Sequence, residues 1–65
     1  MWIAVYIAQN RKIADRIERL LTEEGMLVKI QPISKKIEDR DGYYEILVPE
    51  GEAEEAQNIL YETGH

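Results

Sequence analysis

The hydrophobic and polar positions of this chain alternate with two different periods, which predict five short elements. Trp2–Ala8 is an apolar run rich in β-branched and aromatic residues, and it predicts a first strand. Strict alternation divides it into two faces: Ile3, Val5 and Ile7 toward the core, and Trp2, Ala4, Tyr6 and Ala8 toward a partner or water.

The next segment repeats apolar residues at helical spacing. The stripe consists of Ile13, Ala14, Ile17, Leu20 and Leu21. Asn10 is a favourable N-cap before it, and Gly25 stands where helices commonly end in a left-handed residue. The sequence therefore predicts a helix over residues 11–24.

Residues 26–33 predict a second strand. Its two faces are Val28 with Ile30, and Leu27 with Lys29 and Gln31. Pro32 has no backbone N–H, so this strand is expected to lie at an edge or to end there. The polar residues 34–42 then predict the loop of a long hairpin.

The rest of the chain predicts a third strand over residues 43–48 and a second helix over residues 52–62. The strand alternates between Tyr44, Ile46 and Val48 on one face and Tyr43, Glu45 and Leu47 on the other. Gly51 is the expected N-cap of the helix. The buried stripe of the helix is Ala53, Ala56, Ile59 and Leu60.

The order β-α-β-β-α predicts an α+β fold in one domain, residues 1–65. It corresponds to a ferredoxin-like fold that lacks its last strand, a split β-α-β arrangement. We expect a three-stranded antiparallel sheet with the third strand in the centre, the first at an edge and both helices on one face.

The other sheet face is then left open. The residues expected there are Trp2, Tyr6, Leu27, Lys29, Tyr43 and Leu47. Such a surface is more apolar than a monomer usually exposes, and the first strand is an unprotected edge. A chain of 65 residues without cysteine also has no disulfide to stabilise it. We therefore predict a homodimer formed through the first strand, the open sheet face, or both.

Composition narrows the possible chemistry. His65, the last residue, is the only histidine and cysteine is absent, so neither a metal site nor a cofactor is expected. Ser34 has no internal histidine to activate it, and Glu38 with Asp39 lies in a solvated loop. No enzymatic activity is expected. The opening apolar run is too short to span a bilayer and lacks the layout of a secretory signal, which predicts a cytoplasmic protein.

The net charge of −5 is unevenly distributed. Residues 1–36 hold seven Lys/Arg and four Asp/Glu (+3), whereas residues 37–65 hold one Arg and nine Asp/Glu (−8). The charges either keep solvated faces soluble or favour contact between unlike surfaces of two copies.

Single-stranded nucleic acid is the alternative partner. Trp2, Tyr6 and Tyr43 on a ferredoxin-like sheet are suited to base stacking, with Lys29 nearby. The acidic balance and Glu45 among these aromatics oppose it, because such binding also needs a positive groove.

Two segments carry a family resemblance. The first has Val5, Ala8, Ala14, Ile17, Leu20, Leu21 and Gly25 in the spacing of a strand, a helix and an L-L-x-x-x-G ending. The second reads I-L-V-P-E at 46–50, A-E-E-A at 53–56 and I-L at 59–60. Together they resemble the small prokaryotic signal-transducing protein domain, a family of unknown function found in short bacterial proteins, many from Firmicutes.

The resemblance covers almost the whole chain and implies a ferredoxin-like core and a regulatory role. By analogy with nitrogen-regulatory PII-type proteins, it also implies target contact through the loop between the second and third strands. The loop residues concerned are Lys35, Lys36, Glu38, Asp39 and Arg40. The glycine and basic residues of the PII-type nucleotide site are not found in this sequence.

Overall fold

The chain folds in the order that its sequence predicts. The structure is a computed structural model that describes residues 1–33 and 42–65. The strands are β1 (Trp2–Ala8), β2 (Lys29–Pro32) and β3 (Tyr44–Pro49), and the helices are α1 (Arg11–Glu23) and α2 (Ala53–Glu62). A short 3₁₀ turn, Glu50–Glu52, joins β3 to α2.

The three strands form one antiparallel sheet in the order β1-β3-β2. The third strand is therefore central and the first lies at an edge, as predicted. Since β1 and β2 both run antiparallel to β3, they run parallel to one another on either side of it. This arrangement confirms the α+β fold with a split β-α-β order.

The hydrophobic core lies between one face of this sheet and the two helices. Ile46 and Val48 of β3 are fully buried. They pack with the predicted helical stripes, of which Ala14, Ile17, Leu21, Ala56 and Leu60 are buried. Both helices thus cover the same sheet face, and no other element of residues 1–33 and 42–65 covers the opposite face.

The ends of α1 follow from local hydrogen bonds. Ile13 N–H donates to Asn10 Oδ1 at 2.9 Å, which confirms the predicted cap. At the other end Gly25 has φ +89°, and its N–H bonds to the Thr22 carbonyl oxygen at 2.9 Å. Met26 N–H reaches the Leu21 carbonyl oxygen at 3.2 Å and completes a Schellman motif.

That motif explains why β2 is shorter than predicted. The expected strand over residues 26–33 is confined to Lys29–Pro32. Met26 cannot join the sheet ladder because its N–H closes α1 and its side chain is buried in the core. Pro49, where β3 ends, has no N–H to offer to a longer β2.

The start of α2 also differs from the prediction. Gly51 is not the N-cap, because it lies inside the 3₁₀ turn and Glu52 precedes the first residue of α2. The turn follows Pro49 directly, so the chain completes a tighter turn before the helix begins. The far end repeats the α1 pattern, with Gly64 at φ +89° and His65 N–H bonded to the Leu60 carbonyl oxygen at 2.8 Å.

A β-bulge in β1 changes which side chains face the core. Ala4 pairs with Leu47 and Tyr6 with Ile46, so Val5 is an extra residue in the register. Val5 and Tyr6 both pack against the core, Ala8 is fully buried and Ile7 is exposed. The predicted placement of Tyr6 and Ala8 on the outer face and of Ile7 in the core is therefore wrong, because strict alternation holds only up to Ala4.

Candidate functional site

The uncovered sheet face is the most distinctive surface of the described residues. Its members follow from the register, because residues directly opposite each other in paired strands point to the same side. We call this surface the open face. It comprises Trp2, Ala4, Ile7, Lys29, Gln31, Glu45, Leu47 and Pro49, with Leu27, Ile33 and Tyr43 at the strand ends.

Large apolar side chains remain exposed across the open face. Trp2, Ile7, Leu27, Ile33 and Tyr43 have exposed fractions between 42% and 65%. Among the described residues, the other large exposed apolar side chains are Met1 and Tyr61, which lie off this face. The exposed apolar surface is therefore concentrated on one side of the molecule and not scattered singly, as is usual on a monomer.

One contact joins side chains of the two edge strands at the end of the open face where β3 finishes. The ammonium group of Lys29 lies 5.1 Å from the centroid of the Trp2 ring. Lys29 of β2 is paired with Leu47 of β3, and Trp2 of β1 is paired with Pro49 of β3. The two side chains therefore reach toward each other across β3. A cation–π contact of this kind at an exposed site stabilises by about 0.5–1 kcal/mol.

The open face has no net side-chain charge. Lys29 and Glu45 are its only charged side chains, and neither forms an ion pair within the described ranges. Gln31, paired with Glu45, is the remaining polar side chain of the face. A neutral, mainly apolar face therefore lies on a chain whose net charge is −5.

The structure brings most of the predicted face residues together. Trp2, Leu27, Lys29, Tyr43 and Leu47 lie on the open face. Tyr6 does not, because the bulge turns it to the helix side of the sheet. There its ring contacts the His65 ring edge-on, with the two ring centroids 6.2 Å apart. The predicted loop residues Lys35, Lys36, Glu38, Asp39 and Arg40 lie outside the described residues.

Three members of the open face, Ile7, Ile33 and Pro49, were missed by sequence reasoning. The third strand was expected to end at Val48, whereas β3 ends at Pro49. Ile33 follows Lys29 and Gln31 at a spacing of two residues, so alternation along the predicted second strand was sufficient to place it on the same face. Ile7 had no such signal. Its position depends on the bulge, which exists only in the pairing of β1 with β3.

The two edges of the sheet differ in how they are protected. β2 has four residues and carries Lys29 and Pro32, a charge and a missing donor that discourage further strand pairing. β1 has seven residues, none charged and none proline, and its bulge is its main irregularity. The edge that borders Trp2, Ala4 and Ile7 is thus the less protected one.

A charged hollow lies on the helix side of the molecule. Its volume is about 330 Å³, and it is lined by Lys12, Asp15, Arg16 and Arg19 of α1. All four are exposed, and Asp15 pairs with Arg11 at 3.0 Å. These side chains offer no apolar wall of the kind that usually encloses a small-molecule site.

Within the described parts of the chain, no group of three or more His, Asp and Glu side chains is arranged to hold a metal ion. Neither α1 nor α2 has the length and apolarity to cross a membrane. Comparison with protein-family models, curated proteins and solved structures finds no match to this chain. Its resemblance to the signal-transducing domain therefore stays a prediction.

Proposed function

We propose that this chain is a small cytoplasmic binding module that acts in regulation through protein–protein contact, and that it works as a homodimer joined through the open face. The observation that carries the proposal is the clustering of Trp2, Ile7, Leu27, Ile33 and Tyr43 on one uncovered sheet face.

Physical chemistry supports contact with protein. Aromatic side chains are enriched at protein interfaces, whereas charged ones are depleted at the interface core. The open face has this composition, with Trp2 and Tyr43 exposed and two charged side chains, Lys29 and Glu45. A second copy is the simplest partner because it is always present, and small domains often gain stability by self-association.

The size of the open face sets the expected strength. Seven residues of β1 extend about 23 Å and three strands about 15 Å, a flat area on the order of 350 Å² per copy. Stable interfaces bury about 800 Å² per partner. The proposed dimer interface is therefore smaller than a standard stable interface and belongs to the weak, transient class, for which we expect a dissociation constant in the micromolar range.

Sedimentation analysis up to high micromolar concentration tests the proposal. We expect the parent to be dimeric, and Trp2→Ala and Tyr43→Ala each to raise the dimer dissociation constant about tenfold or more. Tyr61→Ala is the control, since Tyr61 is a more exposed aromatic on α2, away from the open face. A parent that stays monomeric would refute the homodimer.

The same experiment distinguishes a dimer joined through the open face from one joined along the edge of β1. A dimer that survives both open-face substitutions would instead be joined along β1, the unprotected edge. Ala4→Pro probes that route. Glu50 N–H bonds to the Met1 carbonyl oxygen at 2.8 Å, so by alternation Ala4 points its own N–H away from β3.

A second candidate function is binding of single-stranded nucleic acid. Exposed Trp2 and Tyr43 share the open face with Lys29, the combination that base stacking uses. The Lys29 ammonium already covers one side of the Trp2 ring, and Glu45 lies between the aromatics, so we rank this candidate second. Absence of salt-sensitive binding to oligonucleotides at low ionic strength would eliminate it.

The regulatory part of the proposal rests on the family resemblance alone. The charged loop between β2 and β3 remains the proposed site of target contact. We assign no catalytic role, since the described hollow is bounded by exposed charged side chains of α1 and does not exclude water.

A further inference from the structure

We infer that the open face is complementary to itself, so that Lys29 of each copy pairs with Glu45 of the partner subunit across a twofold axis. This inference rests on the proposed homodimer and adds its geometry and its electrostatic determinant.

Charge balance is the first argument. In a twofold dimer the same surface patch meets itself. A patch with net charge would therefore repel its own copy, whereas one cation and one anion attract when each meets the other. The open face carries one of each, although the whole chain carries a net charge of −5.

The positions of the two charges fit such an axis. Lys29 is directly opposite Leu47, and Glu45 lies two residues along β3 from Leu47. With strands about 4.8 Å apart and about 3.4 Å per residue, the two Cα atoms are separated diagonally by about 8 Å. The diagonal crosses the middle of the open face, where an interface is best shielded from water.

A twofold axis between the two sheets can pass through the midpoint of this diagonal, at right angles to it. It then places the Cα atom of Lys29 in one copy over the Cα atom of Glu45 of the partner subunit, and the reverse pair follows by symmetry. The strands of the two sheets cross at a steep angle, close to the orthogonal class of sheet packing at about 90°.

Preorganisation is the third argument. The Lys29 ammonium lies 5.1 Å from the centroid of the Trp2 ring, a contact that restrains this side chain on the open face. A long side chain that is already restrained loses less freedom when it binds. Glu45 is half-buried and lies on the central strand, between its paired neighbours Ile7 and Gln31. Both charged residues are therefore restrained on the open face, Lys29 through its side chain and Glu45 through its place on the central strand.

Charge reversal tests this pairing. Lys29→Glu and Glu45→Lys each leave two like charges on the open face of each copy. Each variant is expected to raise the dimer dissociation constant, measured by sedimentation analysis, about tenfold or more. The double variant Lys29→Glu/Glu45→Lys restores opposite charges and is expected to recover most of the lost affinity. Recovery is the decisive result, because a merely structural role for either residue would make the two losses add.

Lys12→Glu is the matched control. It changes the net charge by the same amount as Lys29→Glu, but on an exposed position of α1 away from the open face. We expect its dissociation constant to stay within about twofold of the parent at physiological ionic strength, where distant charges are screened.

The outcomes separate the two proposals. If the parent is dimeric but the double variant is no tighter than the weaker single variant, the pairing of Lys29 with Glu45 is overturned and the homodimer stands. If the parent is monomeric at high micromolar concentration, the homodimer itself is overturned and the pairing with it.

Discussion

At the scale of single residues, two glycines provide a matched test of backbone conformation. Gly25 has φ +89°, Gly51 lies outside the left-handed range, and a Cβ atom at either position would meet no atom within 4 Å. Gly25→Ala is therefore expected to lower the free energy of unfolding by about 1–2 kcal/mol through backbone strain alone. Gly51→Ala should be neutral or raise it by about 0.5 kcal/mol, because the unfolded chain loses freedom.

Chemical denaturation of the two variants beside the parent measures both effects. Equal losses of unfolding free energy at both positions would contradict the backbone strain assigned to Gly25→Ala. They would mean that steric crowding, and not φ, sets the loss of stability. The slope of the unfolding free energy against denaturant should be unchanged, because neither substitution alters the buried surface.

Single residues whose roles depend on near neighbours could be predicted from the sequence. The cap at Asn10 spans four residues, from Asn10 to Ile13, and the Schellman motif at Gly25 spans six, from Leu21 to Met26. Both are determined by chain segments that the sequence shows side by side. Gly51 was misassigned because the chain makes a 3₁₀ turn over Glu50–Glu52, directly after Pro49, before α2 begins.

At the scale of the elements, the bulge in β1 makes a prediction opposite to strict alternation. Ile7 faces outward and Ala8 is fully buried. Ile7→Lys should therefore change the free energy of unfolding of the dilute protein by no more than about 0.5 kcal/mol. Ala8→Lys should lower it by several kcal/mol or prevent folding, since it buries a charge without a partner.

Thermal unfolding followed by circular dichroism at low micromolar concentration distinguishes these cases. Ala4→Lys, on the outward side before the bulge, is the control and should resemble Ile7→Lys. Severe destabilisation by Ile7→Lys together with tolerance of Ala8→Lys would mean that β1 alternates without a bulge.

The elements show where sequence reasoning has its limit. The helical stripes and the alternation of β3 were predicted correctly because each depends on the periodicity of one segment. The bulge at Val5 depends on how β1 and β3 pair, and residues from both strands contribute to it. For the same reason Tyr6 was assigned to the open face and Ile7 was missed, while Trp2 and Ala4, before the bulge, were placed correctly.

At the scale of the whole molecule, the open face follows from the arrangement of the elements. Both helices cover one side of a three-stranded sheet. The apolar side chains that alternate to the other side therefore have no partner within the described chain. Sequence parity predicted Trp2, Leu27, Lys29, Tyr43 and Leu47 on this surface. The contact of Lys29 with the Trp2 ring was beyond prediction, because it joins two edge strands across a third.

Self-association should also be visible in the stability of the protein. A chain of 65 residues is expected to have a free energy of unfolding of only about 3–10 kcal/mol. If folded chains dimerise and unfolded chains do not, each tenfold rise in concentration stabilises the folded state by about 0.7 kcal/mol per chain. For a domain of this size that corresponds to a rise in Tm of about 3–6 °C.

Calorimetry of the parent from about 10 µM to about 1 mM should therefore show Tm rising with concentration once dimers form. Lys29→Glu should have a Tm that is nearly independent of concentration, and the double variant Lys29→Glu/Glu45→Lys should recover the dependence. Lys12→Glu should behave as the parent does, since its charge lies away from the open face. A parent Tm that stays constant over this range, with unfolding shown to be reversible, would mean that the open face does not join two copies of this chain.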